Sequence, residues 1–572
     1  MATLCRRCCA RYGIALALNP ELPCVFLVLQ SSKNEKLFGH NTMRNLELPG
    51  RSPVMATNGM AATSHHLATQ VAIDVLKAGG NALDGAIAAC AVQCVVEPGS
   101  TGIGGDCFAM YAPEGRPNII AYNGSGRAPA AATLEKLTQL GVTQFERTSA
   151  HSVIIPGAVD AWAQLNEDHG KMPLAELLQP AINYARNGYP ITQRVHFDFT
   201  KAIDHLKSDD NLARVFLNNG KVPELGSIHK NAGLADALEI IAREGRDAFY
   251  KGALAHEMVE TLQAKGGLHT LDDFASAKGT YEKTIKADYR GNTIHECPPQ
   301  GQGVIALLML NMMQKMPVAE DMLSAERIHA ELETCRRGYA ARGKYLADPA
   351  QVDVAVDELL SEHYAAQLRD DIDPDRAKHP ENALDFPAHK DTVYISVVDK
   401  DRNACSFINT VFFPWGGGIT TPKHNIVFTN RGEGFVLEEG HPNCIAPGKR
   451  PLHTIIPAMV EKDGKITMSF GVMGGEYQAM GHLQFLTRVF DYGLDVQAAM
   501  DAPRFMVDPY TGEVEIEGAV SETVFQALQK KGHAIDRAVS PIGGSQAIAI
   551  DWETGVLTGG SDPRKDGCAI GY

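Results

Sequence analysis

Residues 391–413 read DTVYISVVDKDRNACSFINTVFF, in which a polar cluster separates two runs of β-branched and aromatic residues. This pattern predicts a β-hairpin. If residues 399–403 form the turn, Val398 faces Ala404, and the antiparallel register places Thr392 directly opposite Thr410. The two hydroxyls then form either a structural cross-strand pair or a nucleophile with a second hydroxyl within reach.

The same hairpin resembles the processing site of a known enzyme family. Asp391-Thr392, followed by Ser396-Val397-Val398-Asp399 and Asn403-Ala404, is similar to the segment at which gamma-glutamyltransferases, a family of N-terminal nucleophile hydrolases, cut themselves. The resemblance implies a precursor cleaved between Asp391 and Thr392, after which the Thr392 hydroxyl is the nucleophile. An α-amino group has a pKa of about 7.7–8.0 in model peptides, so the freed amine could act as the base.

Further motifs of that family follow in the family's order between residues 53 and 572. They are Ala82–Ala89 with Glu97–Asp106, Pro447–Leu452, Gly471–Gly475, Gly560–Arg564 and Gly571-Tyr572. Each motif alone is a common type of turn, whereas the ordered set indicates membership. The resemblance implies an α/β fold, the αββα sandwich of the N-terminal nucleophile hydrolases. It also implies that the backbone amides of Gly474 and Gly475 hold the oxyanion of an acyl intermediate.

The chain divides into three predicted segments. Residues 1–52 lack sustained periodicity and match no family motif, so we expect a disordered or mis-assigned leader, with Met43 a plausible start. Residues 53–391 form the predicted large subunit, which is rich in helix patterns. Residues 392–572 form the predicted small subunit, which is rich in strand patterns and carries the nucleophile. The resemblance implies that the two subunits stay folded together, and it leaves open whether this αβ pair dimerises.

Several elements are predicted from periodicity and composition. Apolar residues at every fourth position predict a helix from residue 64 to Gly79-Gly80, and small or apolar residues predict a buried helix over 84–96. Residues 106–123 predict two strands. A further helix and three further strands are predicted at Pro173–Asn187, Asn425–Thr429, Ile466–Phe470 and Gln546–Asp551.

Composition excludes several classes of partner. With 572 residues, 44% of them hydrophobic, the chain is typical of a packed globular enzyme. A net charge of −15 disfavours nucleic acid and anionic membranes, and the apolar runs at 14–18 and 25–29 are too short to span a bilayer. We expect a cytoplasmic location rather than a periplasmic or secreted one. The implied mechanism needs no cofactor and no metal, because the chain supplies nucleophile, base and oxyanion donors.

The substrate-binding residues depart from those of the gamma-glutamyl enzymes. Those enzymes hold the α-carboxylate with an arginine where this chain has Ser125, and Arg127 is a candidate either for that role or for a surface ion pair. Their paired serines correspond to His453-Thr454. Their acidic clamp for the α-amino group corresponds to Arg431-Gly432-Glu433-Gly434, with glycine at the key acidic position. Arg431 would favour an additional negative charge, and the short segment 435–447 predicts a site open to water.

These patterns predict a self-processing amide hydrolase or acyltransferase. The predicted catalytic residues are Thr392, Thr410, Gly474 and Gly475, and the predicted substrate-binding residues are Arg127, Arg431, His453 and Thr454. The favoured substrate is a γ-glutamyl amide such as glutathione, with hydrolysis favoured over transfer. Two alternatives stay open. One is an amidohydrolase for another carboxylate-bearing amide, of oxamate or glutaryl type, and the other is an unprocessed scaffold that binds small anions.

Overall fold

The structure, a computed structural model, describes residues 50–379 and 392–572. Asp391 on the amino side of the predicted cleavage site, Met43 and residues 1–49 of the predicted leader lie outside these ranges. The strands of the described part are β1 Val54–Ala56, β2 Met60–Thr63, β3 Asp106–Ala112, β4 Ile120–Gly124, β5 Tyr189–Pro190, β6 Ile228–His229, β7 Thr280–Glu282, β8 Ile285–Tyr289, β9 Asn292–Glu296, β10 Val393–Val398, β11 Ala404–Thr410, β12 Ala458–Lys462, β13 Lys465–Met473, β14 Phe505–Val507, β15 Val514–Ile516, β16 Ile535–Arg537, β17 Gly544–Ile550, β18 Leu557–Ser561 and β19 Cys568–Gly571.

The helices are numbered in the same way. They are α1 His66–Lys77, α2 Ala82–Val96, α3 Leu134–Gln139, α4 Ala158–His169, α5 Leu174–Asn187, α6 Gln193–Lys201, α7 Ile203–Leu206, α8 Asp210–Phe216, α9 Ala232–Glu244, α10 Arg246–Tyr250, α11 Ala253–Gln263, α12 Leu271–Ser276, α13 Gly303–Gln314, α14 Ala325–Tyr345, α15 Val356–Leu359, α16 Glu362–Asp370, α17 Tyr477–Phe490, α18 Val496–Asp501 and α19 Glu522–Lys530. Short 3₁₀ turns span Pro113–Gly115, Ala150–Ser152 and Arg431–Gly434.

Two antiparallel sheets of seven strands form the centre of the molecule. Their strand orders are β19-β2-β10-β11-β3-β4-β7 and β1-β18-β17-β13-β12-β9-β8. Each sheet combines strands from both sides of Thr392, because β10, β11 and β19 belong to the first sheet and β12, β13, β17 and β18 to the second. The two predicted subunits therefore share both sheets and an uninterrupted set of ladder hydrogen bonds, which would hold them together after cleavage.

Hydrophobic cores lie between and outside the sheets, which gives the αββα layering. Between the sheets, Phe108, Tyr394 and Ile408 of the first pack with Met459 and Ile548 of the second. Helices α1 and α2 cover the outer face of the first sheet, and α13 and α17 cover that of the second. Every residue of α2 is buried, as its run of small and apolar residues predicts, so this helix is packed on all sides.

The predicted hairpin is confirmed in its register. Val398 pairs with Ala404 and Val393 with Asn409, which continues to Thr392 opposite Thr410. The turn is closed by Asp399, whose carboxylate accepts hydrogen bonds from the backbone N–H of Asp401 and Asn403. The same carboxylate accepts from the N–H of Ala82 at 3.0 Å and thereby ties the turn to the start of α2.

Most of the other predicted elements are also present, with one exception. The helices at α1, α2 and α5 and the strands at β3, β4, β13 and β17 lie where the patterns place them. The strand predicted at Asn425–Thr429 is wrong. This segment makes only single bridges, from Val427 to Thr420 and from Phe428 to Gly104, and Asn425 has a φ of 54° that breaks an extended backbone.

Candidate active site

Three side chains from neighbouring strands lie in one row across the first sheet. Thr392 precedes β10, Thr410 ends β11, and Asp106 begins β3 as the direct partner of Thr410. Directly opposed residues of antiparallel strands point to the same face. The Oγ1 atoms of Thr392 and Thr410 are 3.4 Å apart, and all three side chains are fully buried.

The Thr410 hydroxyl is held by the backbone that follows it. The N–H of Phe412 donates to Thr410 Oγ1 at 2.9 Å. This requires a left-handed backbone at Phe412, with a φ of 77°, an uncommon conformation for a bulky residue. Because Oγ1 accepts this bond, its proton and its second lone pair remain for Thr392. The arrangement suits a hydroxyl that orients, or exchanges a proton with, a neighbouring nucleophile.

Gly474 and Gly475 form the turn between β13 and α17. Their φ angles are 130° and 53°. A Cβ at position 474 would lie 2.9 Å from the Cα of Gly543, so this position requires glycine. Neither backbone N–H donates to an acceptor within residues 50–379 and 392–572. Two adjacent unengaged amides at a helix start form an arrangement that can bind an oxyanion.

Gln478 places this turn beside the threonines. It lies in the first turn of α17, its Nε2 is 3.5 Å from Thr392 Oγ1, and its Oε1 accepts the N–H of Ile456 at 3.0 Å. Gln302 supports the turn from the other side. Its Nε2 donates to the carbonyl of Gly475 at 3.2 Å and to that of Thr454 at 2.8 Å.

His453 is a neutral hydrogen-bond donor in this structure. Its Nδ1 accepts the N–H of Ile455 at 3.3 Å, and its Nε2 lies 3.1 Å from Asp106 Oδ2. Burial, reinforced by the nearby charge of Arg431, lowers the pKa of His453 to about 4. The ring therefore carries its proton on Nε2, and this N–H donates a hydrogen bond to Asp106 Oδ2. The other carboxylate oxygen of Asp106 accepts a hydrogen bond from the N–H of Gly126.

Arg431 is a buried cation without an ion-pair partner in the described part of the chain. Its guanidinium carbon lies 3.6 Å from the centre of the Phe412 ring, and its Nη1 donates to Thr454 Oγ1 at 3.1 Å. Within the described residues, its Nε and Nη2 have no hydrogen-bond partner. Burial lowers the pKa of Arg431 to about 10, which still leaves it charged at neutral pH. Burying a charged group without an ion-pair partner costs free energy, and a bound anion would offset that cost.

These contacts form a closed ring of residues, and we call its members the threonine site. Each member contacts the next directly or through a chain neighbour, in the order Thr392, Gln478, Gly475, Gln302, Thr454, Arg431, Phe412 and Thr410. The structure thus brings together seven of the eight predicted site residues, counting Gly474 next to Gly475 and His453 next to Thr454.

Arg127 is the exception. Its Nη1 donates to the carbonyl of Gly448 at 3.0 Å and lies 3.6 Å from Asp348, and its side chain is 31% exposed. This is the ion-pair alternative that the sequence left open. The neighbouring Arg450 is buried and donates to backbone carbonyls of Asn123 and Ser125, so it braces the segment that carries Arg127.

The expectation of a site open to water is wrong for the uncleaved chain. Thr392, Thr410 and Arg431 are completely inaccessible to solvent. In the short segment 435–447, Phe435 and Ile445 are buried in a small hydrophobic cluster. The segment packs against this cluster, so its short length does not indicate how accessible the site is to solvent.

Sequence reasoning assigned no role to Asp106, Gln478 or Gln302. Asp106 closes a family motif, and its place opposite Thr410 follows only from the pairing of β3 with β11. Gln478 follows the Gly474-Gly475 turn by three residues, which is one helical turn and the available signal. Gln302 comes from a distant loop, and no local pattern points to it.

One group of metal-ligand type exists in the described part of the chain. The ligand atoms of His329, Glu333 and His533 lie within 4.8 Å of one another, and all three residues are buried. Arg336 and Arg337 already bind the Glu333 carboxylate at 2.6 and 2.8 Å, and His329 Nδ1 lies 2.8 Å from His533 Nε2. Two guanidinium groups beside the carboxylate oppose a bound cation, so the group is a hydrogen-bonded cluster. Within residues 50–379 and 392–572, no helix is long and apolar enough to cross a membrane.

Comparison with known proteins agrees with this geometry. The family model described as Gamma-glutamyltranspeptidase matches residues 68–572. This chain belongs to the gamma-glutamyltranspeptidase family. It is 35% identical over 526 residues to the glutathione hydrolase-like YwrD proenzyme of Bacillus subtilis, an alignment that covers 91% of this chain and 99% of that protein.

Other members of the gamma-glutamyltranspeptidase family carry different substrate names. The chain is 31% identical over 532 residues to the oxamate amidohydrolase proenzyme of Klebsiella pneumoniae, covering 91% of this chain and 99% of that one. The crystal structure of cephalosporin acylase from Bacillus halodurans superposes with a TM-score of 0.86 at 36% identity, covering 93% of this chain and 99% of that one. The predicted family, the N-terminal nucleophile hydrolase fold and the classification as a hydrolase made as a proenzyme are therefore confirmed.

Proposed function

We propose that this protein is a self-processing amide hydrolase with Thr392 as its nucleophile. The observation that carries the proposal is the 3.4 Å contact between the Thr392 and Thr410 hydroxyls beside the Gly474-Gly475 turn. Acyl transfer uses a nucleophile, a base and oxyanion donors, and the structure offers the Thr392 hydroxyl and two unengaged backbone amides for the first and last of these roles. The family's proenzyme names support a cut within the chain.

In the precursor, Thr392 Oγ1 attacks the carbonyl carbon of residue 391, the bond from that carbon to the Thr392 nitrogen breaks, and the hydroxyl proton passes to that nitrogen. An ester forms, and water hydrolyses it to a carboxylate and a free Thr392 hydroxyl and amine. In turnover, that amine takes the hydroxyl proton as Oγ1 attacks the substrate amide, and the amides of Gly474 and Gly475 stabilise the oxyanion. The leaving amine takes up the proton, and water then hydrolyses the acyl ester. Residues 53–391 and 392–572 are the proposed subunits.

We further propose that the acyl group carries a carboxylate, which Arg431 and Thr454 bind, with His453 fixed behind them by Asp106. The Nε and Nη2 atoms of Arg431, which are buried and have no hydrogen-bond partner among the described residues, support this. A γ-glutamyl amide such as glutathione, which the sequence favoured, meets the requirement, and so does an amide of oxamate or glutaryl type. Water is the proposed acceptor, and the cytoplasm is the proposed location.

The test is intact mass and N-terminal sequencing of the purified protein, with Thr392→Ala as the inactive variant. We expect two fragments from the natural chain, the smaller beginning Thr392-Val393-Tyr394, and one uncut chain from the variant. A natural chain that stays whole and cleaves no amide would favour the unprocessed scaffold. Cleavage of the Thr392→Ala chain at the same bond would overturn the role of Thr392.

A further inference from the structure

We propose that the threonine site selects its substrate by charge, taking monoamides of dicarboxylic acids, such as glutaryl amides, in preference to γ-glutamyl amides. These two acyl groups differ only by the α-ammonium of the γ-glutamyl group. The inference rests on the proposed function, and it reverses the order of preference that the sequence alone favoured. The preference for glutaryl amides depends on whether the carboxylates around Arg431 are already bound to other groups of the protein.

One edge of the Arg431 guanidinium has the geometry that binds a carboxylate. The two nitrogens of Arg431 without a partner in the described chain are Nε and Nη2. These two atoms form one edge of the planar guanidinium, and their N–H bonds run parallel, which is the arrangement that binds both oxygens of a carboxylate. Thr454 occupies the Nη1 side and leaves this edge for a ligand.

Phe412 connects Arg431 to the threonine pair. Phe412 holds the guanidinium against its ring, and its backbone N–H holds the Thr410 hydroxyl next to Thr392. Phe412 therefore links the unengaged edge of Arg431 to the pair of threonine hydroxyls. A ring face attracts a cation but carries no net negative charge, so contact with Phe412 does not neutralise Arg431.

The α-ammonium of a γ-glutamyl substrate would lie beside the positive charge of Arg431. In a γ-glutamyl group the α-ammonium and α-carboxylate share one carbon, so binding the carboxylate at Arg431 brings the ammonium close to the guanidinium, where like charges repel. Two nearby carboxylates are engaged elsewhere. Asp106 binds His453 and the N–H of Gly126, and Glu476 binds Arg342 and the hydroxyl of Tyr510.

Within the described residues, Glu433 is a further carboxylate close to Arg431 that could bind an ammonium. In the 3₁₀ turn Arg431–Gly434, residues 431 and 433 lie two thirds of a turn apart and so project in different directions. The charge of Arg147 acts on Glu433 more strongly than that of Arg431, and Glu433 Oε1 has no hydrogen-bond partner within the described residues. Burial raises the pKa of Glu433 to about 7, so near neutral pH it is only partly charged.

The experiment compares three p-nitroanilides on the processed enzyme: glutaryl, γ-glutamyl and the uncharged valeryl compound. We expect kcat/KM for glutaryl to exceed that for each of the others by at least about 10-fold. Measured on the processed fraction of the variant, Arg431→Gln should lower kcat/KM for glutaryl by about 10²-fold, mainly through KM, and bring it close to that for valeryl. Glu433→Gln, the matched control, should leave the ratio of glutaryl to γ-glutamyl unchanged.

The outcomes separate this inference from the proposed function. If the processed enzyme prefers γ-glutamyl, or if Glu433→Gln removes γ-glutamyl activity selectively, charge selection by Arg431 is refuted while the threonine mechanism stands. The same holds if Arg431→Gln cleaves the glutaryl compound as well as the natural enzyme does. If the natural chain neither cuts itself nor cleaves any of the three compounds, the proposed function fails first.

Discussion

Replacing Thr410 with valine removes one oxygen from the threonine site and leaves its shape unchanged. The residue is fully buried, and its Oγ1 accepts the Phe412 N–H at 2.9 Å and lies 3.4 Å from Thr392 Oγ1. The substitution should therefore affect two measurable quantities, the free energy of unfolding and the rate of self-cleavage.

Both magnitudes follow from these two contacts. Leaving the buried Phe412 N–H without an acceptor should lower the free energy of unfolding by about 1–3 kcal/mol. Thr392 would lose a hydroxyl that can stabilise charge developing on its own oxygen. Hydrogen bonds to charged groups contribute about 1.5–3 kcal/mol, which corresponds to a decrease of roughly 10- to 10²-fold in the rate of self-cleavage. The amide of Gln478, at 3.5 Å from Thr392 Oγ1, is too distant to compensate fully.

The assay follows the fraction of uncut chain by intact mass over time, together with denaturant unfolding of the uncut material. Thr410→Ser is the matched control, because it keeps Oγ1 and loses only a methyl group. We expect serine to cleave within a few-fold of the natural rate and valine to lag far behind it. A valine variant that cuts itself at the natural rate would refute the role of the second hydroxyl, and equal stability of the two variants would refute the Phe412 contact.

Three further outcomes are expected. Thr392→Ser should still cut itself, because a hydroxyl remains, as intact mass will show. Gly474→Ala should lower kcat on an anilide by about 10²- to 10³-fold, because the added Cβ would lie 2.9 Å from the Cα of Gly543 and displace an oxyanion donor. Burial depresses the pKa of His453 from 6.5 to about 4, so its neutral form stabilises the fold above pH 6.5, and that stability is lost as the pH falls toward 4. This loss should approach about 3 kcal/mol, and unfolding at pH 7.5 and 4.5 should show less of it in His453→Gln.

The elements that could be predicted are those with a strong local pattern. The hairpin is one, because alternation with period two and a polar turn allow only one register, and that register carries Thr392 to Thr410. The strand at Asn425–Thr429 failed for the opposite reason. Its residues favour extended structure, but a strand needs a continuous partner, and this segment has only the isolated bridges of Val427 and Phe428.

Some residues of the site could likewise be predicted from the sequence, and others could not. The Gly474-Gly475 turn could be anticipated, because paired glycines after a strand permit a positive φ and allow their backbone amides to approach a ligand closely. The binding partner of Arg127 could not, because Asp348 lies more than two hundred residues away and only packing brings them together. The role of Asp106 likewise depends on which strand adjoins β11.

The sequence by itself therefore determined the family, the αββα fold, the hairpin and the identity of the candidate nucleophile, because these follow from local patterns and ordered motifs. Only the tertiary structure decided that Arg431 is buried against Phe412 with one edge unengaged, and that neutral His453 is held by Asp106. The physical reason is that charge and hydrogen-bond demand depend on every neighbour of a buried group. Those neighbours come from strands and loops that are distant in the chain and adjacent only after the two sheets have packed.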